Sequence, residues 1–160
     1  ADGAVGLRYV RRLAHPPEKV WRAITESEHL QHWLPCDIVG ERAEGAEVAL
    51  PFWPDHVAVH GEEMTPPLAG RITVWDPPSV FEWWWDTDRL RWELAAVDDG
   101  TVLTFTTWLG DLTHPADKTA AGYHVCLAQL TELLDTGRVA TPLALVPVGD
   151  WEQRYAAALG

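Results

Sequence analysis

Followed by the spacing of its apolar positions, the chain falls into three stretches. "GLRYVRRLA" (Gly6 to Ala14) has the mixed polarity of a first strand and ends at His15-Pro16-Pro17. "PEKVWRAI" then sets Val20, Trp21 and Ile24 on one helical face, behind a proline suited to a first turn. Thr25-Glu26-Ser27-Glu28 has the form of a capping box, and the helix it opens presents Leu30, Trp33 and Leu34 before stopping near Pro35. From Asp37 to Leu109 the pattern changes to strands and turns. "AEVALPFW" carries Val48, Leu50 and Phe52 on one face, and "HVAVHGEEM" (His56 to Met64) reads as a further strand, weakened by Gly61. "GRITVW", "VFEWWWD", "RLRWELAAV" and "TVLTFTTWL" follow. Asp76-Pro77-Pro78-Ser79 predicts a rigid turn, and Asp98-Asp99-Gly100-Thr101 a hairpin. After His114-Pro115 the period becomes helical again. Tyr123, Cys126, Leu127, Leu130, Leu133 and Leu134 share one face of a helix over about 115–136, closed by Gly137. A tail over 138–160 holds an Ala/Pro/Val-rich stretch and a short helical piece, "DWEQRYAAAL".

This order predicts an α+β fold in one domain spanning 1–160: a curved antiparallel sheet wrapped around a long C-terminal helix, with two short helices after the first strand. That helix, at about 1.5 Å per residue, is long enough to cross a whole sheet. A curved sheet has more concave surface than one helix fills, and the surplus becomes a cavity. Strand alternation then sorts the side chains. Phe81, Trp83 and Trp85 point one way, and Glu82, Trp84 and Asp86 the other. Leu90, Trp92 and Leu94 oppose Arg91 and Glu93, while Leu103, Phe105, Thr107 and Leu109 oppose Thr104, Thr106 and Trp108. The inner face therefore carries Trp83, Trp85, Trp92 and Phe105 against Tyr123, Leu127 and Leu130, as core, as cavity wall, or as both. Trp84 is left outside. It covers a neighbour such as the stem of Arg91, or joins Trp108 in a patch for self-association or a partner.

Charge narrows the partners. Twenty-four acidic against twelve basic residues leave a net charge of −12, which opposes nucleic acid and anionic membranes. No run of about 18 apolar residues predicts a membrane span. Cys36 and Cys126 belong to no CxxC pattern and read as buried thiols of a reducing compartment. With no secretion-signal pattern at "ADGAVGLRYV", the expected location is the cytoplasm.

Several segments carry a family resemblance. "RRLAHPPEKVWRAITESEHLQHWLP" resembles the opening of the SRPBCC/START superfamily, and "VWDPPSVFEWWWDTDRLRWEL" its branch of homologues of the activator of the heat-shock-protein-90 ATPase. "DGTVLTFTTWL", "AAGYHVCLAQLTELLDTG" and "WEQRYAAALG" resemble that branch's last strand, long helix and tail. The resemblance implies a helix-grip fold, like the birch-pollen allergen, with a pocket between sheet and C-terminal helix. Superfamily members bind lipids, hormones and polyketides, and some are cyclases or hydrolases. No catalytic motif is shared across the branch. This chain departs from its pattern at Trp84, where a small or polar residue is usual, and at Tyr123, where tryptophan is common.

Seven histidines raise metal and acid–base chemistry. His56 and His60, four apart in an extended segment, would sit about 13 Å from each other, too far for one ion. His29 and His32 have helical i, i+3 spacing but no third ligand, and His124 lies at the border of the long helix's apolar stripe. His60 and Glu62 share a strand face: turned inward they form an acid–base pair, turned outward a solvated rim. There is no nucleophile elbow, P-loop or dinucleotide fingerprint, and no cofactor or metal is expected. The leading expectation is a monomer or homodimer that binds an apolar, aromatic small molecule, oriented by His60, Glu62 and Tyr123. The alternatives are a cyclase, aromatase or hydrolase with His60 or Glu62 as general base, and a co-chaperone-like interaction module using Trp84 and Trp108.

Overall fold

The computed structural model describes residues 5–60, 68–110 and 116–147, with 153, 154 and 157 beyond them. Strand β1 (Val5–Leu13) is followed by helices α1 (Pro17–Thr25) and α2 (Ser27–Trp33), strand β2 (Glu47–Leu50) and helix α3 (Pro54–His60). Strands β3 (Leu68–Asp76), β4 (Val80–Trp85), β5 (Asp88–Val97) and β6 (Gly100–Leu109) then precede helix α4 (Ala116–Thr136). The strands form one antiparallel sheet in the order β1-β6-β5-β4-β3-β2. After α2, the chain returns along β2, where Val39 exchanges both backbone hydrogen bonds with Ala49.

The alternation drawn from sequence holds on the inner face. Leu7, Ile72, Phe81, Trp83, Leu90, Trp92, Leu94, Leu103, Phe105, Thr107 and Leu109 are all buried there. Helix α4 turns Tyr123, Cys126, Leu127, Leu130, Leu133 and Leu134 into the core, as its period requires. It is tied to the sheet by the Tyr9 hydroxyl, which donates to the carbonyl of Ala120 at 2.8 Å. Gly137 ends it with φ of 81° and an N–H bonded back to Leu133 O. The β3–β4 register shifts between Ile72 and Val74, the kind of irregularity at which a strand bends.

Two expectations are corrected. Thr25 caps nothing: it is the last residue of α1, and its hydroxyl donates to Trp21 O one turn back. Glu26 takes the N-cap position of α2, and its side chain makes no capping bond. Second, residues 56–60 are not strand but the body of α3, opened by Pro54 at its first turn. The remainder of that expected strand, 61–64, lies outside the described residues. Glu82 is on the outer face, as its phase predicts, and is buried there because Arg89, Arg91 and Thr73 close over it. Of the expected helical tail, only 153, 154 and 157 are described, and they are helical.

Candidate functional site

The inner face is built from rings in contact. Trp92 stacks on Phe105 at 3.9 Å between centroids, Phe105 meets Tyr123 edge-on at 4.9 Å, and Trp33 of α2 meets Trp92 edge-on at 5.3 Å. Trp83 and Trp85, two apart on β4, stack at 5.8 Å, and Trp85 also approaches Phe52. Leu127 and Leu130 complete the cluster from α4. The structure thus brings together seven of the residues expected from sequence: Trp83, Trp85, Trp92, Phe105, Tyr123, Leu127 and Leu130.

Their polar atoms are treated unequally. Trp33 Nε1 donates to Ala23 O at 2.8 Å and Trp53 Nε1 to Leu34 O at 2.8 Å. Trp83 Nε1 and Trp85 Nε1 are buried without a hydrogen-bond partner, while the buried Thr107 hydroxyl faces the Tyr123 phenol. Leaving such a group unpaired costs about 1–3 kcal/mol. Leu90 lies between Trp83 and Thr107 in one cross-strand row, which separates them by about two strand spacings, roughly 10 Å. Phase alone places Thr107 inward, and an isolated threonine among inward apolar residues is the sequence signal for its hydroxyl. Burial, then the Asp88 carboxylate, pushes the Tyr123 phenol well above its ordinary pKa, so it keeps its proton at neutral pH. The nearby thiols are buried too: Cys126 is pushed up to about 12, and Cys36 well above the usual range.

His60 and Glu62 do not form the strand pair expected of them. His60 closes α3, and Glu62 lies outside the described residues. With residues 56–60 helical, the separation inferred for His56 and His60 no longer applies. His29 gathers Glu26 and Glu28 rather than His32, in a triplet with its ligand atoms close together on the solvent side of α2. His124 is half-buried, and burial first, then Arg11 and Arg154, lowers its pKa.

On the outer face, Trp84 is 38% exposed. Its cross-strand neighbours are Arg71 and Arg89, not Arg91, which sits opposite Glu82. The Arg89 guanidinium lies over the Trp108 ring at 3.8 Å, and that indole lies over Gly6, which has no side chain to displace it. Arginine therefore stands between the two outward tryptophans.

Residues 14–135 match the sequence profile of a family described as activator of Hsp90 ATPase homolog 1-like protein. A conserved protein of unknown function from Enterococcus faecalis is similar in structure with a TM-score of 0.79 at 21% identity, over 99% of this chain and 86% of that one. CalU16 from Micromonospora echinospora is similar with a TM-score of 0.68 at 18% identity, over 96% of this chain and 87% of its own. A protein from Chromobacterium violaceum has a TM-score of 0.64 at 22% identity, over 81% and 96% of the two chains. At these identities the likeness is one of fold. No curated protein matches this chain in sequence. Among the described residues, no helix is long and apolar enough to cross a membrane.

Proposed function

Because this chain belongs to the family of activator of Hsp90 ATPase homolog 1-like proteins, whose SRPBCC-type fold commonly binds hydrophobic ligands, we propose that it holds a flat, apolar, aromatic molecule between the sheet and α4. Trp83, Trp85, Trp92, Phe105, Tyr123, Leu127 and Leu130 supply the apolar contact, through buried area and offset stacking. The observation that carries the reading is the pair of buried indole N–H groups with no partner. Indole nitrogen only donates, so the ligand must present an acceptor, such as a carbonyl or ether oxygen, toward Trp83 and Trp85. A protonated Tyr123 can add a third donor. A phenol kept neutral by burial orients a ligand more readily than it abstracts a proton, which favours binding over base chemistry at this residue. The reading makes no use of His60 or Glu62.

Matched probes test it. 2-Acetylnaphthalene and 2-ethylnaphthalene share a ring system, and only the first has an acceptor. The ketone is expected to quench tryptophan emission and to bind about 10-fold more tightly, the worth of roughly one well-made hydrogen bond. A double substitution, Trp83→Phe with Trp85→Phe, should erase that advantage while leaving ethylnaphthalene binding nearly unchanged. Equal affinity of the two probes, or emission untouched by both, would count against the site.

A further inference from the structure

A concavity opens away from the sheet–helix interior, where α1 gives way to α2. It is an open cleft of about 610 Å³, walled by Trp21 of α1, Trp75 of β3 and Val39, with Asp37, Arg42 and Glu26 at its polar side. The aromatic wall is held from behind. Trp21 and Trp75 meet at 5.1 Å, and both meet Phe81 of the core, at 6.0 and 5.4 Å. Trp75 is only half-buried, so part of its indole faces the cleft.

The two charged groups are fixed by the protein but not by each other. Arg42 donates through Nε to Thr25 O at 2.9 Å and through Nη1 to Gly40 O at 3.0 Å, which leaves the Nη2 amino group unused. Asp37 accepts through a single oxygen, Oδ1, from the Ser27 hydroxyl at 2.6 Å and from the Ile38 N–H at 2.8 Å, which leaves Oδ2 unused. Asp37 is near enough to favour the charged form of Arg42 against the half-burial that opposes it. Yet the two groups form no ion pair with one another. A cation and an anion thus line one cleft, each anchored by main chain or hydroxyl, and each keeps one polar atom outside those bonds.

We propose that this cleft binds a flat aromatic molecule bearing a carboxamide or similar group, its carbonyl accepting from Arg42, its N–H donating to Asp37 Oδ2 and its ring lying against Trp75. An amide carries an acceptor and a donor side by side. Its nitrogen and oxygen are about 2.3 Å from each other, and each hydrogen bond adds roughly 2.9 Å. A simple carboxylate would satisfy Arg42 but meet Asp37 and Glu26 as like charges, and a simple amine would reverse the mismatch. The proposal is independent of the interior site, since the two share no residue.

Benzamide, benzoate and benzylamine carry the paired, acceptor-only and donor-only patterns on one ring. The side-chain indole signals of Trp21 and Trp75, assigned through Trp21→Phe and Trp75→Phe, report binding in a heteronuclear NMR titration. Benzamide is expected to shift both signals saturably at millimolar concentration, with the other two at least ~10-fold weaker, because each leaves one charged group badly met. Asp37→Asn is the selective variant: it keeps Oδ1 for Ser27 and Ile38 but turns the free acceptor into a donor, and should weaken benzamide ~10-fold or more. Val39→Phe, at a side chain 50% exposed, fills the cleft without touching either charged group and should block binding with the fold intact. The proposal is overturned if benzamide gives no saturable shift, if benzoate or benzylamine equals it, or if both variants bind it as the unaltered protein does. It is also overturned if only the Trp83 and Trp85 signals move, which would place the probe in the interior.

Discussion

Trp33 and Trp83 are buried alike, each about 1% exposed, but the first indole N–H has a carbonyl to bond and the second has nothing. Replacing either with phenylalanine removes the same volume, so the difference between the two variants isolates the hydrogen bond. Trp33→Phe is expected to lose about 1–2 kcal/mol more than Trp83→Phe, measured as the separation of their urea midpoints. Equal losses would mean that Trp83 Nε1 is satisfied in solution, and would remove the basis for the interior site. The thiols give a second check. The thiolate is the reactive species, and burial holds Cys126 at about 12 and Cys36 well above its usual range. The folded protein should therefore leave a disulfide reagent unreacted at pH 8, and release two equivalents of thiol on unfolding. At this scale, phase along "VFEWWWD" was enough to put Trp83 inside and Trp84 outside. The missing partner of Trp83 was not legible, because an indole's acceptor comes from a remote segment, as Trp33's comes from α1.

Turns set the limits of the elements, and two glycines show how differently they do so. Gly137 has φ of 81°, and a side chain there would meet open space. Gly137→Ala should cost only the strain of a left-handed residue, about 1–2 kcal/mol. Gly100 has φ of 155°, and a Cβ would also collide with the carbonyl of Leu13 and crowd Ala14 and His15. Gly100→Ala must move β1 or open the β5–β6 hairpin, so its thermal midpoint should fall well below that of Gly137→Ala; the reverse order would refute this account. Both turns, and the strands and helix they bound, were legible because strict alternation and the helical period persist there over long runs. The failures are short. "HVAVH" alternates like a strand, but Pro54 starts a helix and Val57 N–H bonds Trp53 O, while Trp53 itself is pinned to Leu34. Thr-Glu-Ser-Glu has the letters of a capping box, but α1 runs through Thr25 and takes its hydroxyl for Trp21. Five residues cannot settle what their neighbours in space decide.

Over the whole molecule, charged residues from distant segments meet in ways no single segment reveals. Against a net charge of −12, Arg8, Arg12, Arg71, Arg89 and Arg91 all stand on the outer face of the sheet, by strand phase. The cleft likewise draws on α1, the 37–42 loop and the end of β3, which is why the sequence hid it while the inward aromatic face of the strands showed through. His124 is a third such meeting point, with Arg11 from β1 and Arg154 near the chain's end acting on one imidazole of α4. Burial is the larger cause and the arginines the lesser, and all three oppose the charged ring, lowering the folded-state pKa below the ordinary 6.5. The unfolded chain then binds more protons than the native one in the window beneath 6.5, so this contribution to stability is full above it and declines as pH falls toward the lowered value. His124→Gln keeps a polar side chain of similar reach but cannot titrate. Urea midpoints taken from pH 7.5 to pH 5 should fall more steeply for the unaltered protein than for the variant, and the two curves should run parallel above about pH 7. Identical slopes throughout would show that the imidazolium is accommodated in the fold, and that Arg11 and Arg154 leave it enough solvent to carry its charge.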